Sequence, residues 1–166
     1  PRTPLLNRAT TGQSAPGSTF QMVVGLAAIA AGVISKSTQF NCSGDMELGN
    51  ATFHCWRKGG HGMMNIISAL EQSCDVFIYE VALKTGIRKI KDMAHRLGLG
   101  DVTGIGLPEE KQGVIPSHEW KLANHGRVWT PGETVVSSIG QGYVLATPLQ
   151  LAVMTARLAN GKQAVN

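Results

Sequence analysis

The stretch QSAPGSTFQMVV, Gln13 to Val24, sets a serine between a turn and a long apolar run. Pro16-Gly17 is a turn signal, Ser18 follows it, and apolar and small residues dominate from Met22 to Ile34. Two readings of Ser18 are open. It is a helix N-cap, which serine favours in any protein, or it is a nucleophile held at the mouth of a buried helix. A nucleophilic serine needs a base within hydrogen-bond reach, and one helical turn on, where a lysine would serve, the chain has Gln21. The helix predicted over Phe20–Gly32 is apolar nearly all round, with Gly25, Ala27, Ala28, Ala30 and Ala31 permitting close packing. Such a helix belongs in the centre of a fold.

Upstream, Pro4 and the polar run to Gly12 read as an extended or loop lead-in. The opening PRTPLLNRATTG has no initiator Met and no capped first element, which implies a piece of a longer chain. Downstream, residues 35–60 have no helical period and, rich in Gly, Asn, Ser and Thr, suggest short strands or loops. Asn65 is a good N-cap for a helix with Ile66, Ile67, Ala69 and Leu70 as its apolar face. After Ser73-Cys74-Asp75 the period resumes through Phe77, Ile78, Val81 and Ala82, and Gly86 stops it. A further helix sets Ile87, Ile90, Ala94 and Leu97 against Lys89, Lys91 and Arg96 and ends at Gly98. Residues 100–131 read as loop-rich. A last helix begins at TPLQ, with Thr147 as N-cap, Pro148 at the first position and Gln150 closing a capping box. Leu151, Met154 and Leu158 form its apolar face up to Asn160-Gly161.

With 166 residues, 43% of them hydrophobic and 16% charged, the chain can bury one real core. Its net charge of +4 comes from scattered Lys and Arg, not interleaved with aromatics as nucleic-acid readers require. The longest apolar run falls short of the roughly 20 residues that span a bilayer.

Cys42, Cys55 and Cys74 are an odd set that cannot all pair within one chain. One reading is a Cys42–Cys55 disulfide with Cys74 a buried thiol. The other adds His61, set in the glycine-rich GGHG, to make a Cys3His group suited to tetrahedral zinc. His54, beside Cys55, is a competing ligand. The remaining histidines, His95, His118 and His125, read as ordinary surface or loop residues.

The phrases LLNRAT, PGSTF, GGHG, SCD, TGIGLPEE, IGQGY and TPLQLA occur in this order across nearly the whole chain. In them the chain resembles the transpeptidase domain of class B penicillin-binding proteins, of the elongation type (penicillin-binding protein 2) found in Gram-negative bacteria. The resemblance implies an α+β fold of the penicillin-binding protein and serine β-lactamase kind. Residues 1–166 would be part of one transpeptidase domain, mostly its helical part, with an incomplete central antiparallel sheet. It also implies peptidoglycan D,D-transpeptidation: a serine attacks a penultimate D-Ala, D-Ala leaves, and an amine of a second stem peptide resolves the acyl-enzyme. By that resemblance Ser18 is the nucleophile, Gln21 stands where the family has its lysine, Ser73 relays protons and Asp75 takes the place often held by Asn. The family's third motif, Lys-Thr-Gly or a variant on an edge strand, follows TPLQLA and would lie beyond Asn166. Lys84-Thr85-Gly86 precedes TPLQLA and reads as a helix end, not as that motif.

With glutamine for lysine the resemblance implies impaired acylation. The opposing reading is a non-catalytic, zinc-stabilised binding or scaffolding module, or a decayed gene copy. Some relatives carry a structural zinc beside the second motif, which favours Cys42, Cys55, His61 and Cys74 as metal ligands, a disulfide remaining the rival in an oxidising compartment. Implied partners are peptidoglycan stem peptides, β-lactams, an elongation-complex polymerase and cell-shape proteins. The implied location is the periplasmic face of the inner membrane.

Overall fold

A computed structural model describes residues 7–107 and 109–161. The expectation on Pro4, and the Leu5-Leu6 and Pro108 parts of two of the quoted phrases, lie outside them. The chain enters through α1 (Arg8–Thr11), a single turn capped by the Asn7 side chain, where an extended or loop lead-in was expected. A 3-10 turn, Gly17–Phe20, then runs straight into α2 (Gln21–Ala30). Pro16, not Ser18, occupies the cap of that turn, and no side-chain bond caps it. The serine hydroxyl is thereby left free for other partners. Helix α2 stops at Ala30, two residues short of the expected Gly32. Its Val23, Val24, Ala27 and Ala28 are buried, while Ile29 is 41% exposed.

Two further helices pack on α2. They are α4 (Asp75–Thr85), in which Val76, Phe77, Ile78, Tyr79, Val81 and Ala82 are all buried, and α5 (Ile87–Arg96), amphipathic as expected. Between α2 and α4 lies the short α3 (Ile66–Glu71), whose cap Asn65 accepts from the backbone N–H groups of Ile67 and Ser68. Only Ile66 and Ala69 of α3 are buried. Ile67 is 53% exposed, which corrects the four-residue apolar face, because a six-residue helix presents just one inward turn. Lys84-Thr85-Gly86 ends α4, with Lys84 paired to Glu80 at 3.8 Å and Thr85 bonded back to the Val81 carbonyl.

The segment between α2 and α3 holds four short strands. β1 (Phe40–Cys42) pairs antiparallel with β4 (Gly62–Met64), and β2 (Asp45–Leu48) forms a hairpin with β3 (Ala51–His54). The register sets Cys42 opposite Gly62 and Asp45 opposite His54. The stretch read as loop-rich contains a helix, α6 (His118–His125), capped by Ser117. A second unassigned helix, α7 (Pro131–Ser138), carries a Thr130/Glu133 capping box and packs on α4. Only Lys121 of α6 is buried, so that helix leaves no apolar stripe to read. Last comes α8 (Pro148–Asn160), with the Thr147/Gln150 capping box and the Pro148 start read from the sequence. Among the described residues no helix is long and apolar enough to cross a membrane.

Candidate active site and metal centre

Ser18 is brought to its neighbours by the turn that precedes α2. The Gly17 N–H donates to the Gly140 carbonyl at 3.1 Å, and a Cβ on Gly140 would stand 2.3 Å from the Gly17 oxygen. Only glycine at 140 lets the IGQGY turn press this closely on the backbone of residue 17. The exposed hydroxyl of Ser18 then faces the break between α3 and α4, where Ser73 sits.

Ser73 Oγ donates to Ser18 Oγ at 2.9 Å and to Gln21 Oε1 at 3.3 Å. A hydroxyl has one proton and serves one acceptor at a time; when Ser73 donates to Gln21, Ser18 is free to donate to Ser73. Gln21, 1% exposed, uses its other end to donate from Nε2 to Asp75 Oδ1 at 3.1 Å. The four residues thus form one wired chain from an exposed hydroxyl to a half-buried carboxylate. Burial pushes the Asp75 carboxyl above its ordinary range, against the Trp56 N–H, His61 and the Gln21 amide, which favour the carboxylate. The amide of Gln21 holds the geometry of a hydrogen-bonded network, yet it cannot accept a proton at neutral pH.

The second cluster begins one residue before Asp75, at Cys74. His61 Nδ1 stands 3.6 Å from Cys42 Sγ and 3.5 Å from Cys55 Sγ. Cys74 completes a group whose four ligand atoms all lie within 4.8 Å of one another. The three thiols are free and buried, so the Cys42–Cys55 disulfide is not formed here. Local backbone builds the group: β1 delivers Cys42, the end of β3 delivers Cys55, and residues 42–44 and 58–60 approach so closely that a Cβ on Gly60 would meet the Cys42 oxygen at 2.1 Å. His54, the competing ligand, is exposed and stays out; its carbonyl accepts from Tyr79 Oη. With Zn–S about 2.3 Å and Zn–N about 2.0 Å, a tetrahedral ion sets its sulfur and nitrogen ligands about 3.5 Å apart. The observed His61–thiol distances of 3.5 and 3.6 Å fit that spacing. Burial, and then Cys42 and Cys55, push the Cys74 thiol far up, and a bound cation is what would reverse this.

Sequence reasoning missed Trp56. Its backbone N–H donates to Asp75 Oδ2 at 3.1 Å, and its indole edge meets His61 with ring centroids 5.3 Å apart. Its place directly after Cys55 was the available signal.

The penicillin binding protein transpeptidase domain model matches residues 1–165. The chain is 40% identical over 162 residues to the peptidoglycan D,D-transpeptidase MrdA of Salmonella typhimurium, covering 96% of this chain and 26% of that protein. It therefore spans about a quarter of the length of that curated relative. Among solved structures it is similar to Pseudomonas aeruginosa PBP2 in complex with WCK 5153 (TM-score 0.91, 40% identity, 95% of this chain and 36% of that one). It is likewise similar to Helicobacter pylori PBP2 in complex with MreC (TM-score 0.93, 38% identity, 97% of this chain and 30% of that one).

Proposed function

This chain belongs to the penicillin-binding protein transpeptidase family, with the α+β fold of its PBP2 members, and on that premise we propose that it carries the acylation half of a peptidoglycan D,D-transpeptidase site. The observation behind this reading is the hydrogen-bonded chain Ser18–Ser73–Gln21–Asp75. Ser18 Oγ attacks the carbonyl carbon of a penultimate D-Ala, or of a β-lactam ring, as its proton moves to Ser73, which passes its own proton to the amide nitrogen whose bond to that carbon breaks. D-Ala departs, and an amine of a second stem peptide releases the acyl group as a crosslink. Asp75 orients Gln21, and Gln21 orients Ser73. In the family, reading of the substrate carboxylate falls to the third motif.

General-base assistance is typically worth 10²–10⁴-fold, about 3–5 kcal/mol of barrier. Gln21 supplies none, so acylation is slow in this protein. The test is intact-mass spectrometry of the full-length protein with a fluorescent penicillin. A slow adduct mapping to Ser18 is expected, accelerated about 10²–10⁴-fold by Gln21→Lys. The reading fails when neither protein forms an adduct on Ser18.

Cys42, Cys55, His61 and Cys74 would hold a zinc ion. Such an ion, when bound, keeps the thiolates charged and crosslinks the 40–64 segment to the start of α4. A second reading, a non-catalytic zinc-stabilised scaffold, is favoured by Gln21 itself, whose amide is bonded at both ends and buried. It predicts metal in the native mass spectrum and no adduct with either residue at position 21. Under the first reading the protein works at the periplasmic face of the inner membrane, with a polymerase of the elongation complex and cell-shape proteins such as MreC, the partner of the Helicobacter relative.

A further inference from the structure

Trp56 is 64% exposed, and its bland reading is a surface ring. Its hydrogen bonds argue otherwise. The indole N–H points inward and is shared between the Gln72 carbonyl at 3.1 Å and the Ser73 carbonyl at 2.9 Å. These are the two carbonyls that flank Ser73. That residue has φ +50°, the left-handed region that side-chain-bearing residues seldom adopt. Such a conformation persists where its surroundings over-determine it. Two backbone bonds help: Ser73 N–H to the Leu70 carbonyl at 3.4 Å, and Cys74 N–H to the Ala69 carbonyl at 2.8 Å. The indole is the side-chain contribution, and in this conformation Ser73 Oγ reaches Ser18.

We propose that Trp56 is a positioning residue for acylation: its indole N–H holds Ser73 in the left-handed turn that aims the Ser73 hydroxyl at Ser18, and the Cys3His cluster fixes the seat of the indole. Cys55 is the preceding residue and the His61 ring is the indole's edge contact, so a shift of either ligand moves the donor. The same residue braces Asp75 through its backbone N–H. Trp56 is therefore the mechanical link between the metal cluster and the hydroxyl relay. The inference rests on the acylation reading given above.

The test is Trp56→Phe in the full-length, zinc-loaded protein. Phenylalanine keeps an aromatic ring for His61 and the backbone bond to Asp75, and deletes the indole donor alone. Native mass spectrometry should show the metal retained, which establishes that the cluster has folded. Amide exchange at Ser73 and Cys74 should be about tenfold faster, as loss of one hydrogen bond implies. In the Gln21→Lys background the acylation step should slow about tenfold, with penicillin affinity before acylation little changed. Unchanged exchange at both amides overturns the proposal whatever the acylation rate does. Absence of any adduct in Gln21→Lys with Trp56 intact sinks the acylation reading instead, while the exchange data still decide the role of Trp56.

Discussion

Val24 and Ala28 of α2, Phe77, Ile78 and Val81 of α4 and Ile90 of α5 are each 0% exposed, and these hydrocarbon side chains make up most of what is buried where these helices meet. Between β1, the β2–β3 hairpin and the start of α4 the filling is three thiols and an imidazole. The strands there are three or four residues long and paired only in twos. A lone two-stranded ribbon is marginal in water, and within residues 40–64 Met46 and Met64 are the buried hydrophobic side chains besides Cys42 and Cys55. The helical frame is thus held by apolar burial, which no ligand can take away. The 40–64 segment has little such apolar filling, and it carries Trp56, which touches both Ser73 and Asp75.

Removing the proposed zinc should separate the two regions most. Structural zinc contributes on the order of 10 kcal/mol or more in small domains. Chelation at neutral pH should therefore speed amide exchange across residues 40–64 by orders of magnitude, while the amides of α4 and α2 stay protected. Exchange measured by mass spectrometry, with and without chelator, decides this. Equal protection of both regions after the ion is gone would show that the strands hold themselves.

Phe77→Ala attacks the frame at its contact with the segment, since the Phe77 ring lies 5.4 Å from that of Phe40 in β1. Truncating a fully buried phenylalanine costs about 3–5 kcal/mol. Here the loss should fall on both regions, and urea unfolding of the metal-loaded protein should show one cooperative transition at a lower midpoint. A midpoint shift worth less than about 1 kcal/mol would mean that the frame does not carry the fold.

The two regions also differed in how far the sequence revealed them. The frame helices were visible because burial imposes a period: Ile87, Ile90 and Ala94 repeat on one face of α5, and Thr147, Pro148 and Gln150 announce α8. α6 escaped because its one buried residue is a lysine, whereas α7 carries in Thr130, Pro131 and Glu133 the same start signal as α8 and is as legible from its residues. In the 40–64 segment the four ligands could be named from residue type, yet not their meeting, which depends on strand register and on the approach of Gly60 to Cys42. Ser18 and Gln21 stand out from the turn-to-helix pattern itself, while Ser73 and Asp75 came from the family resemblance. Their hydrogen bonds, and the part Trp56 plays in them, come from backbone conformations such as the φ of Ser73 that no residue type encodes.

The smallest effect tests whether the frame is held by hydrocarbon alone. Glu133 at the start of α7 accepts from the backbone N–H of Thr130 at 2.8 Å and pairs with Lys121, whose side chain is only 7% exposed. Burial works against the Glu133 carboxylate, but Lys121 and Thr130 outweigh it and hold the carboxyl below its ordinary range. The folded state therefore binds fewer protons than the unfolded one in mild acid. The stability this adds is complete above the unfolded value of about 4.3 and is lost as pH falls through the lower folded value. Glu133→Gln cannot titrate, and it leaves the Lys121 ammonium without its carboxylate. At pH 7 it should cost about 1–2 kcal/mol, less than a fully buried pair because Glu133 keeps a fifth of its surface in water. Urea midpoints of both proteins from neutral pH down to the acid limb should converge once Glu133 is protonated. A gap that stays constant through acid would assign the loss to packing, and the frame would then rest on apolar burial without an electrostatic share.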